Sequence, residues 1–350
     1  MTSLITIEEA LKLKKAIFID VRSPAEYAES TIVDAVNFPI LNDEERAEIG
    51  TVYRRDSHQK AIRLGVKYAS YKLPSLYDQI VDYQKEYEHI IFFCWRGGMR
   101  SKSVCNFLSM FNVPQVYQLA GGYKAYRKFI MDYFENHLDP YHFIMVHGLT
   151  GVGKTHILEG LSEKGLKVLN LEKLAQNSGS VFGDIVFKGS PPSQKMFESM
   201  IFHILYGAAE KNIFVESESK RIGNVQIPDK IYQRMVAGSH VLVNTSLENR
   251  VNIILKDYIN HVEEKEEKIR KAIEHLRKRL GNEAVDHLLQ KQSEKAYPYI
   301  IRYLIEYYYD PLYQYSIEKY KNYDLEIFYD NIENAIKELR DFEMSLKPQK

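Results

Sequence analysis

Short apolar runs alternate with longer amphipathic stretches over the first two thirds of the chain. Ala16-Ile-Phe-Ile-Asp20-Val21, Ile90–Phe93 and Gln115–Leu119 are the runs of the first part. They have the length and near-continuous apolar character of strands buried on both faces. Thr6-Ile-Glu-Glu9 is a capping box that starts a short helix, and Ser23-Pro24-Ala-Glu26 is a second, with proline at the first helical position. Ala35-Val-Asn-Phe-Pro39 reads as a short strand ending at proline, and a polar helical stretch follows from about Asp43 to Glu88. Further helices are predicted over Ser101–Phe111 and Tyr123–Tyr133. A second series opens at Phe143–His147, continues through a helix over Thr155–Lys164, and adds strands at Lys167–Leu171, Asn212–Glu216 and His240–Asn244. Strands and helices alternating at these lengths predict α/β architecture with parallel sheets. From Leu247 the pattern turns helical and charged. The expected division is 1–135 for the first α/β domain, 140–255 for the second and 256–350 for a helical extension packed on it, with Asn136–Pro140 as linker.

Composition narrows the class. The 350 residues carry 47 basic and 47 acidic side chains, so no global field draws the chain to polyanions. Local bias remains. No acid lies between Glu88 and Asp132, where Arg96, Arg100, Lys102, Lys124, Arg127 and Lys128 fall, nor between Asp56 and Asp78, where Lys60, Arg63, Lys67 and Lys72 fall. Two cysteines rule out a disulfide scaffold, and Cys105 reads as a small core residue. No signal peptide or membrane-spanning run is visible, which predicts a soluble, cytoplasmic protein.

Two loops carry the chemistry. Cys94-Trp-Arg-Gly-Gly-Met-Arg100-Ser101 follows a buried strand and opens a helix. Cys94 is therefore expected among backbone N–H groups at a helix N-terminus, with Arg96 and Arg100 nearby and Gly97 and Gly98 freeing the loop backbone. That environment favours a thiolate and cradles an anion bonded to it. Gly148-Leu-Thr-Gly151-Val-Gly153-Lys154-Thr155 fits G-x-x-x-x-G-K-[ST] between strand and helix, the context of a phosphate-binding P-loop. Lys154 adds a point charge, and the Thr155 hydroxyl can meet Mg²⁺ or a phosphate oxygen. A Walker-B-like carboxylate is expected at the end of a later strand. Glu216 is the better candidate and Glu218 the weaker, since a surface charge explains it equally well. Arg221 and Arg250 are candidates to reach phosphate, or else solvated helix residues.

The first module resembles the rhodanese family through Asp20-Val-Arg22-Ser-Pro-Ala-Glu26-Tyr27, the Ala35–Pro39 strand, the Cys94 loop and Leu119-Ala-Gly121-Gly122-Tyr123. A rhodanese module followed by a P-loop module is similar to the tRNA 2-selenouridine synthase family. The matching stretches are the Cys94–Ser101 and Gly148–Thr155 loops, Leu171–Ala175 with Gly179–Gly183, and Val215-Glu216-Ser-Glu218-Ser-Lys-Arg221-Ile-Gly223. Many members carry His-Arg where this chain has Asn177-Ser178. The resemblance implies a transferase that exchanges the sulfur of wobble 2-thiouridine in tRNA for selenium from selenophosphate, through an S-geranyl intermediate made from geranyl diphosphate. It implies Cys94, Arg96 and Arg100 at the selenium site. It implies Lys154, with Gly148, Gly151, Gly153, Thr155, Glu216 and Arg221, at the diphosphate site. A selenophosphate-supplying enzyme is an implied partner.

Other readings stay open on sequence. Five residues separate Cys94 from Arg100, which is also the spacing of cysteine-dependent phosphatases, so a phosphatase fused to a P-loop NTPase or kinase is the alternative. A non-catalytic sulfur-relay adaptor is a third. For tRNA, the acid-free stretches and Lys265–Arg279 are the candidate surfaces, and Trp95 either stacks a flipped base or props the loop. The tail tyrosines are expected to be core.

Overall fold

The computed structural model describes residues 3–177, 190–208, 211–259, 265–318, 320 and 322–346. The chain divides into two units. One comprises Met1–Glu135 with Lys195–His203, the other Asn136–Gln194 with Ile204–Lys350. Thus the middle of the helix Gln194–Tyr206 belongs to the first unit, although it lies far along the sequence. Ser178 and the stretch Gly179–Gly183 fall outside the described residues.

In the first unit, five parallel strands run in the order Ser3–Ile5, Val116–Leu119, His89–Phe93, Ala16–Asp20, Val36–Asn37. The edge strand Ser3–Ile5 is not predicted by the pattern, which shows only the capping box after it; that box is present. The Ala35–Pro39 strand shortens to Val36–Asn37. The polar stretch after it forms three helices, Asp43–Arg55, His58–Ser70 and Leu73–Tyr83. One sheet face packs Ile17, Ile19 and Phe92 against Leu76, Ile80, Val104 and Leu108. Phe202 meets Tyr126 and Tyr133 edge-on. Because all strands are parallel, Asp20, Phe93 and Leu119 end at one edge of the sheet, and the loops that follow them converge there.

In the second unit the parallel order is Leu325–Phe328, Ser239–Asn244, His142–His147, Asn212–Glu216, Lys167–Leu169. The P-loop leaves the central strand His142–His147, with Glu216 ending the strand beside it. The C-terminal extension is mainly helical, but it also contributes the strand Leu325–Phe328 and the helix Ile332–Ser345 that packs behind the P-loop helix Lys154–Glu163. Tyr329 donates its hydroxyl to Val152 O at 2.7 Å, tying that returning segment to the loop. Ile269, Ile273, Val285, Leu288, Ile300 and Leu304 form a separate core among the intervening helices. Two π-helical segments, Leu255–Ile259 and Ile305–Tyr309, interrupt them. No described helix is long and apolar enough to cross a membrane.

Candidate functional site

Cys94 follows the strand His89–Phe93 and precedes the helix Met99–Met110. Its side chain is buried, with Sγ 3.2 Å from the Gly98 amide, which donates to it, and 3.3 Å from the Ser101 hydroxyl. Gln118 donates to Gly97 O at 2.6 Å and to Ser101 Oγ at 3.3 Å, bracing the loop from the next strand. Gly122 closes it from the other side. Its φ is +58°, and a Cβ there would stand 2.2 Å from Cys94 O and 2.4 Å from Gly97 N, so only glycine fits. Beneath the loop, Arg22 is fully buried. It pairs with Asp20 at 2.6 Å and stacks over Tyr123 at 4.2 Å.

The two arginines of the loop differ from each other. Arg100 is engaged by a carboxylate. Its guanidinium grips Glu26 at 2.6 and 3.3 Å, and Arg46 reaches the same carboxylate at 2.8 Å. Burial alone would raise the Glu26 pKa, but Arg100, the Ser23 N–H and Arg46 together hold it below the usual value. Arg96 is exposed on the loop. Trp95 is 37% exposed, tilted against Tyr123 at 5.8 Å and faced by Lys195 Nζ at 5.9 Å, so it both rests on the core and shows a face to solvent. Three of the seven basic side chains of Lys265–Arg279 are matched by nearby acids: Arg270 by Glu274, Lys271 by Glu267 and Arg277 by Asp286. Of the tail tyrosines, Tyr309 is core and Tyr307 is 61% exposed.

The second site is a cavity around the P-loop. Gly153 caps the helix Lys154–Glu163 at φ +68°, where a side chain would press on the Tyr329 hydroxyl at 3.2 Å. Lys154 Nζ donates to Gly148 O at 2.7 Å and to Leu149 O at 3.4 Å. Gly148, Gly151, Gly153, Lys154 and Thr155 all line the cavity, together with Glu218, Glu172, Ile253, Ile254, Tyr313 and Ile317. Glu216, favoured on sequence, is not in that wall. It is buried, and its Oε1 accepts the Glu172 amide at 2.6 Å while Oε2 has no hydrogen-bond partner. Burial raises its pKa to about 8 despite the Glu172 N–H. Glu218, which a surface charge explained equally well on sequence, is half-buried at the cavity. Burial, then Glu172 and Glu216, push its carboxyl well above the usual range.

Arg221 is exposed and outside the cavity wall, its Nε donating to Gly223 O at 3.1 Å. Arg250 is 5% exposed rather than solvated. It donates to Thr150 O at 2.8 Å and pairs with Asp310 at 2.6 and 2.9 Å. It therefore ties the P-loop backbone to the C-terminal helices and is not free to reach phosphate. Asp310→Ala leaves a buried guanidinium without its counter-charge. The expected cost is about 3 kcal/mol of unfolding free energy by denaturant titration, and an unchanged midpoint would contradict the clamp.

Among the cavity residues not singled out on sequence are His147, His156 and Asp257. His147 donates from Nε2 to His240 Nδ1 at 2.9 Å, because His240 Nε2 is turned to Val236 O at 3.0 Å. Burial, then His240 and Lys154, push His147 down to about 3, so it is neutral. His156 meets Asp257 at 2.7 Å, and that bond raises its pKa. A raised folded value stabilises below the unfolded value of about 6.5 and is lost as pH rises through the folded value. His156→Ala should therefore lower Tm at about pH 6 and do so much less at about pH 9, compared by thermal scans at the two pH values. Equal losses at both would remove the ion pair as the cause. The adjacency of His147 and His156 to the P-loop was the only sequence signal for them; Asp257 gave none.

Residues 141–344 match the family described as tRNA 2-selenouridine synthase AAA domain, and residues 6–129 match the rhodanese-like domain. A tRNA 2-selenouridine synthase of Hydrogenovibrio crunogenus is 33% identical, over 79% of this chain and 79% of its own. One of Nitrosomonas europaea is 32% identical, over 71% of this chain and 65% of its own, so the chain spans a little under two thirds of that relative. A solved N-terminal domain of a putative ATP/GTP binding protein from Clostridium difficile 630 is 48% identical, covering 37% of this chain and 99% of that one, with a TM-score of 0.36.

Proposed function

The chain belongs to the tRNA 2-selenouridine synthase family, and from that membership we propose that it is a cytoplasmic transferase that converts wobble 2-thiouridine of tRNA to 2-selenouridine. Geranyl diphosphate supplies the prenyl group of an S-geranyl-2-thiouridine intermediate, and selenophosphate supplies selenium. The observation that carries this reading is that one chain of this family holds two distinct anion cradles. One is built on a buried sulfur, with Gly98 N–H and Ser101 around Cys94. The other is built on a phosphate loop.

The chemistry needs both. A thiocarbonyl sulfur is a poor leaving group, whereas an S-alkylated sulfur departs as a thiol. The P-loop cavity suits an amphiphilic donor: Lys154 and the loop amides for diphosphate, Ile253, Ile254 and Ile317 for hydrocarbon. At the rhodanese loop, Arg96 is the free-standing cation for selenophosphate, because Arg100 is held by Glu26. That same ion pair weakens the phosphatase alternative, which required Arg100 as the phosphate clamp.

The test is nucleoside mass spectrometry after mixing the purified protein, a 2-thiouridine tRNA, geranyl diphosphate and selenophosphate. Appearance of 2-selenouridine is the expected result. Unmodified 2-thiouridine throughout would sink the proposal.

A further inference from the structure

On the reading given above, a wobble base reaches the Cys94 loop, so the RNA flanking that base must lie against the first unit. The chain carries no net charge, so a local surface has to hold it.

The helices Asp43–Arg55 and His58–Ser70 form an antiparallel hairpin in that unit, cross-tied at its base by Lys72 on Glu45 and Tyr68 on Glu48. The base is also fastened to the Cys94 loop's helix. The Glu26 carboxylate takes Arg100 of that helix at 2.6 Å and Arg46 of the hairpin at 2.8 Å. From there Asp43–Arg55 runs for about 20 Å at the rise of an α-helix. No residue of Asp43–Arg55 is buried, and only Ala61 of His58–Ser70 is, so the hairpin stands largely in solvent.

Charge is segregated along it. Glu45 and Glu48 are engaged in the ties at the base. Residues 51–71 hold Arg54, Arg55, Lys60, Arg63 and Lys67 against the single acid Asp56, which Lys60 meets at 2.9 Å. Arg55, Arg63 and Lys67 are exposed and meet no carboxylate among the described residues. Arg63 and Lys67 are one turn apart, on the side away from the buried Ala61. At the tip the rings of Tyr53 and His58 stack at 4.0 Å with 9° between their planes, and Tyr53 is 54% exposed. Unpaired cations beside an exposed aromatic step are the chemistry that holds a single-stranded RNA backbone and stacks its bases. Ile62 and Val66 are exposed on the same helix, but a second copy docking through this face would set cation against cation.

We propose that the tip and exposed side of this hairpin dock the tRNA backbone next to the wobble base. Arg55, Arg63 and Lys67 each meet a phosphate, and Tyr53 with His58 offers a stacking step to an unpaired base. The shared Glu26 carboxylate fixes that surface relative to the Cys94 loop.

The experiment measures binding alone and needs no turnover. A fluorescently labelled 2-thiouridine tRNA is titrated with the full chain, and Kd is read by anisotropy from about 0.05 to about 0.2 M salt. The triple variant Arg55→Ala, Arg63→Ala, Lys67→Ala should weaken binding about 10- to 100-fold at about 0.1 M salt and flatten the slope of log K against log salt by about 2 to 3. Its Tm should match wild type, since no ion pair is lost. Tyr53→Ala should weaken binding about fivefold or more with the slope unchanged, and Tyr53→Phe should restore it. Lys265→Ala, Lys268→Ala, Lys278→Ala, the same loss of charge on the other candidate surface, should weaken binding less. An equal or larger loss there would overturn the inference. So would a hairpin variant within about threefold of wild type at unchanged slope. A hairpin variant that keeps its tRNA affinity but changes oligomeric state would make the face an interface between copies. Wild type that binds no tRNA would overturn the proposed reaction and this inference together. Wild type that binds through the hairpin but makes no 2-selenouridine would overturn the proposed reaction alone.

Discussion

Lys154→Ala is expected to reduce S-geranylation of a 2-thiouridine tRNA by about 100- to 1000-fold, the range found when one preorganised charge stabiliser is removed. Nζ lies 2.7 Å from Gly148 O and 3.4 Å from Leu149 O, inside the loop and at the first residue of the helix Lys154–Glu163. A diphosphate in that loop would gain negative charge as its bond to the allylic carbon breaks, and Lys154 is the fixed cation next to that change. The helix N-terminus and loop amides remain in the variant, so residual activity is expected rather than none. The loss should fall on both rate and geranyl diphosphate affinity, because the charge acts on bound diphosphate as well as on the departing one. Stability should hardly change, since among the described residues Lys154 bonds only to backbone carbonyls in this loop. The decisive control is tRNA that already carries S-geranyl-2-thiouridine. The variant should convert it to the selenium product at the wild-type rate. S-geranylation within tenfold of wild type would remove Lys154 from the reaction.

The features legible in the sequence are those that act over a few residues. Both loops announce themselves because strand, glycines, and cysteine or lysine lie within one short stretch. The buried strands His89–Phe93 and His142–His147 were visible as unbroken apolar runs. What the pattern missed depends on distant partners. Ser3–Ile5 is only three residues long and acquires strand character by pairing with Val116–Leu119. Leu325–Phe328 pairs with Ser239–Asn244 across more than eighty residues, and nothing local in a charged tail marks it. Glu216 and Glu218 share one side of an extended chain, so spacing could not say which one turns inward to cap the Leu171–Ala175 helix and which reaches the cavity. Arg100 was expected over the sulfur because it follows Cys94 closely. The carboxylate that captures it, Glu26, lies in the capping box of a different helix. Arg250 looked like an ordinary helix arginine until Asp310 and Thr150 O came within reach.

Cys94→Ala is expected to leave S-geranylation intact and to abolish 2-selenouridine, so that S-geranyl-2-thiouridine accumulates on the tRNA. The sulfur sits at the start of the Met99–Met110 helix with one amide donor at 3.2 Å and a hydroxyl at 3.3 Å. Attack of that sulfur on the phosphorus of selenophosphate would form an S–P bond as the Se–P bond breaks, and the electron pair would leave with selenium as selenide, a large, soft anion that the same donors with the helix N-terminus would stabilise. Alanine removes the nucleophilic atom and keeps the loop's backbone geometry, which Gly122 and Gln118 hold independently of the side chain. Serine is the sharper comparison. Its hydroxyl keeps the polar contacts to Gly98 and Ser101 but is a far weaker nucleophile, so Cys94→Ser should be as inactive as Cys94→Ala. A serine variant that still makes 2-selenouridine would show that the loop only binds selenophosphate and that Cys94 forms no covalent bond to it. Mass spectrometry of the intact wild-type protein after exposure to selenophosphate gives a second readout. One phosphoryl group should add to the chain, and the addition should disappear in both variants. If no phosphoryl group adds to wild type while wild type still turns over, the covalent role of Cys94 fails and the anion-binding role of the loop stands alone.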